Sequence, residues 1–194
     1  MKIGIKEEKE MRMDYIELSK EISYALRHAP EKYGLEMDEE GWVNIQQLIK
    51  ALNKDQKWKD ITKEDILLIT EKAEKKRHEI AGDKIRAYYG HSIAMKIQKE
   101  EKMPPDILYH GTAKKFIKSI ANKGLLPQSR QYVHLSQDTE TAYNVAERHK
   151  DEVVILKIDA KRAWNSGIKF YYGNQCVWLA DKIPSEYIIE VSDN

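Results

Sequence analysis

The chain has 194 residues, 34 % of them charged, yet 33 Lys and Arg stand against 32 Asp and Glu, for a formal net charge of +1. That length holds one large domain or two small ones, and the balance of signs excludes a bulk polyelectrolyte for nucleic acid, so any basic site must be local. No apolar run is long enough to span a bilayer, the start Met1-Lys2-Ile3-Gly4-Ile5-Lys6 lacks a signal-peptide core, and the single Cys176 cannot close an internal disulfide or build a zinc cluster, so a soluble, reducing, cytoplasmic setting is expected.

Residues 14–28 predict a helix, with Leu18, Ile22, Ala25 and Leu26 at helical spacing and Asp14 as N-cap. Arg27 and His28 then sit on its last turn, where their side chains can leave the core face together. Gly34 marks a loop, Leu35 and Met37 alternate like a short strand, and Asp38–Gly41 form a turn into Trp42-Val43. Asn44 caps a helix with Ile45, Leu48, Ile49 and Leu52 on its apolar face. Thr62 and Asp65 resemble a capping box for a helix reaching Ala73. His78–Ile80, a Gly82-Asp83 turn and Lys84–Tyr88 read as a β-hairpin. Three helices followed by a hairpin make a winged-helix pattern for residues 1–95.

Residues 96–105, charged and ending in Pro104-Pro105, read as a linker. In residues 106–194 the rhythm changes. Ile107–Tyr109 is a short strand, His110-Gly111-Thr112 opens a helix over Lys114–Asn122, and Gly124 ends it. Val133–Leu135 is a strand and a helix runs from about Thr139 to His149. Strands follow at Val153–Ile158, Ile168–Tyr172, Val177–Leu179 and Tyr187–Val191. Short strands with two small helices predict an α+β domain on curved, mostly antiparallel sheets.

Three boxes carry chemistry: Leu26-Arg27-His28, Lys76-Arg77-His78 and Ser129-Arg130, the last just before Tyr132-Val133-His134-Leu135. Guanidinium groups with one imidazole suit the grip of a phosphate, since the planar Arg fork matches phosphate oxygens in a bidentate way that Lys cannot. Singly, each box is more often a solvated face or a helix end where cations offset the dipole. Gly90-His91-Ser92 follows a strand, where glycine allows close backbone approach. In His110-Gly111-Thr112, an imidazole, a hydroxyl and free amides at a helix opening can hold ribose hydroxyls and a pyrophosphate. His134-Leu135-Ser136 adds a second imidazole, with a satisfied core histidine as the competing reading. Phe170-Tyr171-Tyr172 and Trp178 can line a base pocket but at strand spacing are more often core.

Together, Leu18-Ser19-Lys20 through Leu26-Arg27-His28, Gly41-Trp42-Val43, Lys76-Arg77-His78-Glu79-Ile80, Ile85-Arg86-Ala87 and Gly90-His91-Ser92 resemble the KptA-type RNA 2′-phosphotransferases. So do Leu108-Tyr109-His110-Gly111-Thr112, Ser129-Arg130, Val133-His134-Leu135-Ser136 and Val177-Trp178-Leu179 before Ile183-Pro184, in order over nearly the whole chain. The resemblance implies a winged-helix lobe joined to an ADP-ribosyltransferase-like lobe, with the active site in the cleft between them. It implies transfer of an internal 2′-phosphate of a tRNA-like RNA, as in tRNA splicing, to NAD⁺ as co-substrate, with no metal. The RNA phosphate attacks the anomeric carbon of the nicotinamide ribose and expels nicotinamide. The 2″-hydroxyl then attacks phosphorus, freeing the RNA and leaving ADP-ribose 1″,2″-cyclic phosphate. The essential set falls on Arg27, His28, Arg77 and Arg130. The NAD-holding boxes fall on Gly90, His91, Ser92, His110, Gly111, Thr112, His134 and Ser136.

A phosphate nucleophile is already anionic at neutral pH, which accounts for a site without a catalytic Glu. This chain departs from the family in having His78 where Phe is usual, Tyr132 where His is frequent, and Gln175-Cys176 where Asn-Gly is frequent. The competing enzymatic class is NAD-dependent ADP-ribosylation that caps terminal phosphates of nucleic acids. A plain winged-helix nucleic-acid binder needs a basic stripe on Thr62–Ala73, and Glu64, Asp65, Glu71 and Glu74 oppose one. A monomer with no membrane partner is expected.

Overall fold

Leu18, Ile22, Ala25 and Leu26 fall on one stripe of a helix, and in the computed structural model, which describes residues 15–73, 75–149 and 151–193, they seat helix α1, Tyr15–Arg27, on the first of two cores. The expected N-cap Asp14 and the acidic Glu74 lie outside the described residues. Helix α2, Ile45–Leu52, starts where the Asn44 side chain accepts the Gln46 and Gln47 N–H groups. Helix α3, Lys63–Lys72, opens with the expected capping box, Thr62 and Asp65 each accepting the other's backbone N–H.

Strands β2, His78–Ala81, and β3, Lys84–Ala87, form the expected hairpin. Gly82 has φ +60°, which a two-residue hairpin turn needs and glycine supplies. A strand not foreseen, β1 at Val43–Asn44, pairs with Ile85 and Lys84 and gives the order β1-β3-β2. The strand expected at Leu35–Met37 does not form. Its donors are used locally: the Leu35 N–H goes to the Pro30 carbonyl and the Glu36 N–H to the Gln47 side chain.

The described residues separate into two compact units, one up to Ile97 and one from Gln98. In the second, strands β4 (Ile107–Ala113), β5 (Val133–Ser136), β6 (Val153–Asp159), β7 (Phe170–Asn174), β8 (Val177–Ala180) and β9 (Ile188–Asp193) build one antiparallel sheet ordered β7-β8-β5-β4-β6-β9. Leu108, Leu135, Leu156 and Trp178 share the main core on one face. Ala142 and Ala146 of helix α5, Thr139–Ala146, pack with Ile155 on the other. Helix α4, Ile117–Lys123, is preceded by a 3-10 turn at Lys114–Phe116 and ends at Gly124.

Two expectations change here. The second unit has a third helix, α6 at Ala160–Asn165, capped by Asp159, whose six residues are too few to show periodicity. His110-Gly111-Thr112 does not open a helix but lies inside β4, with His110 opposite Leu156, Gly111 opposite Ile155 and Thr112 opposite Val154. Gly111 is there because α5 crosses it: a Cβ would stand 2.0 Å from the Ala142 carbonyl oxygen. The charged segment 96–105 is seated at both ends. Ile97 is fully buried, while Glu101 bridges to Tyr171 and pairs with Lys169 at 3.0 Å.

Candidate active site

The first unit gathers three distant stretches around Arg27. The Ser92 N–H donates to the Arg27 carbonyl at 3.0 Å, and the Ser92 hydroxyl bonds the His28 Nδ1 at 2.8 Å. Arg27 Nη2 donates to the Arg77 carbonyl at 3.4 Å, and the same carbonyl accepts the Tyr88 N–H at 3.1 Å. The Tyr89 ring lies 5.5 Å from the Arg27 guanidinium carbon, close enough for a cation–π contact. Gly90, at φ +93°, brings its backbone so near that a Cβ would meet the Arg27 side chain at 3.5 Å. Arg27, His28, Arg77, Gly90 and Ser92 therefore stand together, with Arg27 held by contacts on several sides. Arg77 makes no side-chain hydrogen bond or ion pair among the described residues.

Beneath them lies His78, only 3 % exposed. The Ser23 hydroxyl donates to the Ser19 carbonyl at 2.8 Å, so its oxygen must accept from His78 Nε2 at 2.9 Å. Burial first, then the charges of Arg27 and Arg77, push the His78 pKa down to about 3. The ring is a neutral core group there. His91 is equally buried, at 3 % exposure, and closes on the turn glycine Gly41, where a Cβ would stand 3.5 Å from its Nε2.

The second unit gathers the rest. Arg130 follows a turn in which its N–H donates to the Pro127 carbonyl. Its Nη1 donates to His134 Nδ1 at 2.5 Å, which makes that ring nitrogen the acceptor of the pair. Strands β4 and β5 pair at Tyr109 and Ser136 alone, and beyond that point His110 Nδ1 donates to the His134 carbonyl at 2.9 Å. Arg130, His134 and His110 thus form one relay of contacts. Thr112 and Ser136 are buried side chains of the same two strands.

Phe170 and Trp178 are core, as their strand spacing favoured. Tyr171 donates to Asp181 at 2.9 Å and meets the Tyr132 ring edge at 5.1 Å, and burial raises the Tyr132 hydroxyl to about 12. The sequence reading missed Tyr89, Ser23 and Asp181. Only Tyr89 carried a signal, an aromatic between a strand and a glycine.

The first cluster can meet an anion with the Arg27 guanidinium and with an imidazole oriented by the Ser92 hydroxyl, and Arg77 joins it through its backbone carbonyl. The second brings together a guanidinium and two imidazoles, groups that can meet phosphate and ribose oxygens. A family model described as RNA 2′-phosphotransferase, Tpt1 / KptA family, matches residues 13–182. A probable RNA 2′-phosphotransferase of Acetivibrio thermocellus is 58 % identical over 176 residues, 91 % of this chain and 97 % of that protein. One from Bacillus thuringiensis subsp. konkukian is 56 % identical over 174 residues, 90 % and 94 % of the two chains. One from Pyrococcus horikoshii is 44 % identical over 171 residues, 88 % and 96 %.

Proposed function

The chain belongs to the RNA 2′-phosphotransferase, Tpt1 / KptA family, and from that premise we propose that it removes an internal 2′-phosphate from RNA by transferring it to NAD⁺. NAD⁺ supplies an electrophilic anomeric carbon and nicotinamide as leaving group. The RNA 2′-phosphate forms the new bond to that carbon as the glycosidic bond breaks. In the second step the ribose 2″-hydroxyl forms a bond to phosphorus, the bond to the RNA 2′-oxygen breaks, and a proton passes to that oxygen. The products are nicotinamide, RNA with a 2′-hydroxyl and ADP-ribose 1″,2″-cyclic phosphate.

Arg27 and Arg77 align the phosphate in step one, where positioning alone can contribute up to roughly 7–11 kcal/mol. Arg130 is assigned to charge stabilisation on the non-bridging oxygens in step two. His28, with Nδ1 engaged by Ser92, protonates the departing oxygen or orients the phosphate through Nε2. His110, Thr112, His134 and Ser136 are assigned to the NAD⁺ ribose and pyrophosphate, and Gly90, His91 and Ser92 are assigned to NAD⁺ as well. Gly111 admits helix α5 to β4 and so fixes His110 and Thr112 on either side of it. On this reading the first unit is a winged-helix lobe and the second an ADP-ribosyltransferase-like lobe.

The observation that carries the proposal is the convergence of the Arg27 and His28 side chains and the Arg77 backbone with the segment from Tyr88 to Ser92. The test is incubation with a 2′-phosphorylated oligonucleotide, with and without NAD⁺. Dephosphorylated RNA and the cyclic phosphate are expected only with NAD⁺. Stable ADP-ribosylated ends without dephosphorylation would favour end-capping instead.

A further inference from the structure

Between α1 and α3 the first unit opens a cavity of about 440 Å³, within the size range of small-ligand sites. Tyr15, Ile16, Leu68 and Ile69 give it apolar walls. Lys72, Lys75 and Arg77 line it as well, and among the described residues no acidic side chain does. None of these three cations makes an ion pair among the described residues. Ser19 also lines the cavity, and its side-chain oxygen is buried without a hydrogen-bond partner among the described residues, the whole residue being 4 % exposed. Buried hydroxyls are normally satisfied, so one left open beside three unpaired cations points to a ligand.

We propose that this cavity is an RNA subsite for the nucleotide adjoining the one that carries the 2′-phosphate. Arg77 lines the cavity and its backbone carbonyl holds the Arg27 guanidinium, so the cavity adjoins the phosphate grip. A phosphodiester lies among Lys72, Lys75 and Arg77, the base lies on Tyr15, Ile16 and Leu68, and Ser19 donates to a sugar or phosphate oxygen. Cations along the backbone with apolar or aromatic side chains under the base are how single-stranded RNA is held. The near-zero net charge fits a local grip of this kind rather than a broad basic face. The subsite rests on the RNA 2′-phosphotransfer reading, and its test separates the two.

Binding of an extended 2′-phosphorylated oligonucleotide is measured without NAD⁺ across a salt series, and turnover is compared between that RNA and a minimal dinucleotide. Replacing Lys72 and Lys75 together with alanine should lower the slope of log affinity against log salt by up to about 1, since both hold one phosphodiester. It should also abolish the preference for extended over minimal substrate, a loss of about tenfold in kcat/KM ratio. Ser19→Ala, which keeps the cavity's shape, should reduce the same preference. The charge-matched control, Lys50→Ala with Lys54→Ala, alters two exposed lysines elsewhere on this unit and should retain it. An unchanged slope in the Lys72 and Lys75 variant, or an equal loss in the control, overturns the subsite. RNA that binds with the expected slope difference but is never dephosphorylated overturns the reaction and leaves the subsite standing.

Discussion

Arg27 is fixed from several directions at once: by the Ser92 amide on its carbonyl, by Tyr89 on its guanidinium and by the bare backbone of Gly90. Orientation of the guanidinium is therefore what the local structure provides, beyond its charge. Arg27→Lys keeps the charge and loses the fork, so kcat/KM for 2′-phosphorylated RNA should drop by about 10²-fold while the thermal midpoint barely moves. His78 makes a prediction of a different kind. Above pH 6.5 the ring is neutral in folded and unfolded chains alike. As pH falls from there toward 3, the unfolded chain takes up a proton that the buried ring refuses, so stability falls by up to about 1.4 kcal/mol per pH unit. His78→Phe should flatten the urea midpoint between pH 6.5 and 4.5, and an unaltered slope would remove His78 from the acid response.

Local chemistry made several elements legible in advance. The Asn44 cap, the Thr62 and Asp65 box and the Gly82 turn each involve residues within four positions of one another, and each formed as expected. Thr62→Ala should cost about 1 kcal/mol in chemical denaturation. Where contacts are distant in sequence, reading failed. Gly111 looked like the punctuation between a strand and a helix, but its reason for being glycine is the Ala142 carbonyl, about thirty residues away. Gly111→Ala should lower unit two's stability by about 1–3 kcal/mol or more through that clash, seen as a lower midpoint with unit one's signals retained. Strand β1 and helix α6 were missed because two and six residues are too short to show a period.

At the scale of the molecule, the balance of 33 basic and 32 acidic side chains limits how strongly RNA can be held by charge alone. Affinity should fall with salt by a log–log slope of only about −2 to −3, the mark of a few phosphate contacts, and a much steeper slope would show a broad basic face. The residues of both clusters were named from sequence, because arginine and histidine declare their chemistry wherever they stand. Their partners were not. The Ser23 relay to His78 and the Tyr171 hydrogen bond to Asp181 depend on which elements meet, and no spacing encodes that.

Strand order has a last consequence, for how the chain acquires its shape. Unit one closes its small sheet with a tight turn and neighbouring helices, so it can mature early and quickly. In unit two, β6 lies between β4, more than forty residues behind it, and β9, some thirty ahead. During synthesis from the N-terminus, β6 must wait on the ribosome with one edge bare until the final strand emerges, and that interval is when the nascent protein is most exposed to aggregation.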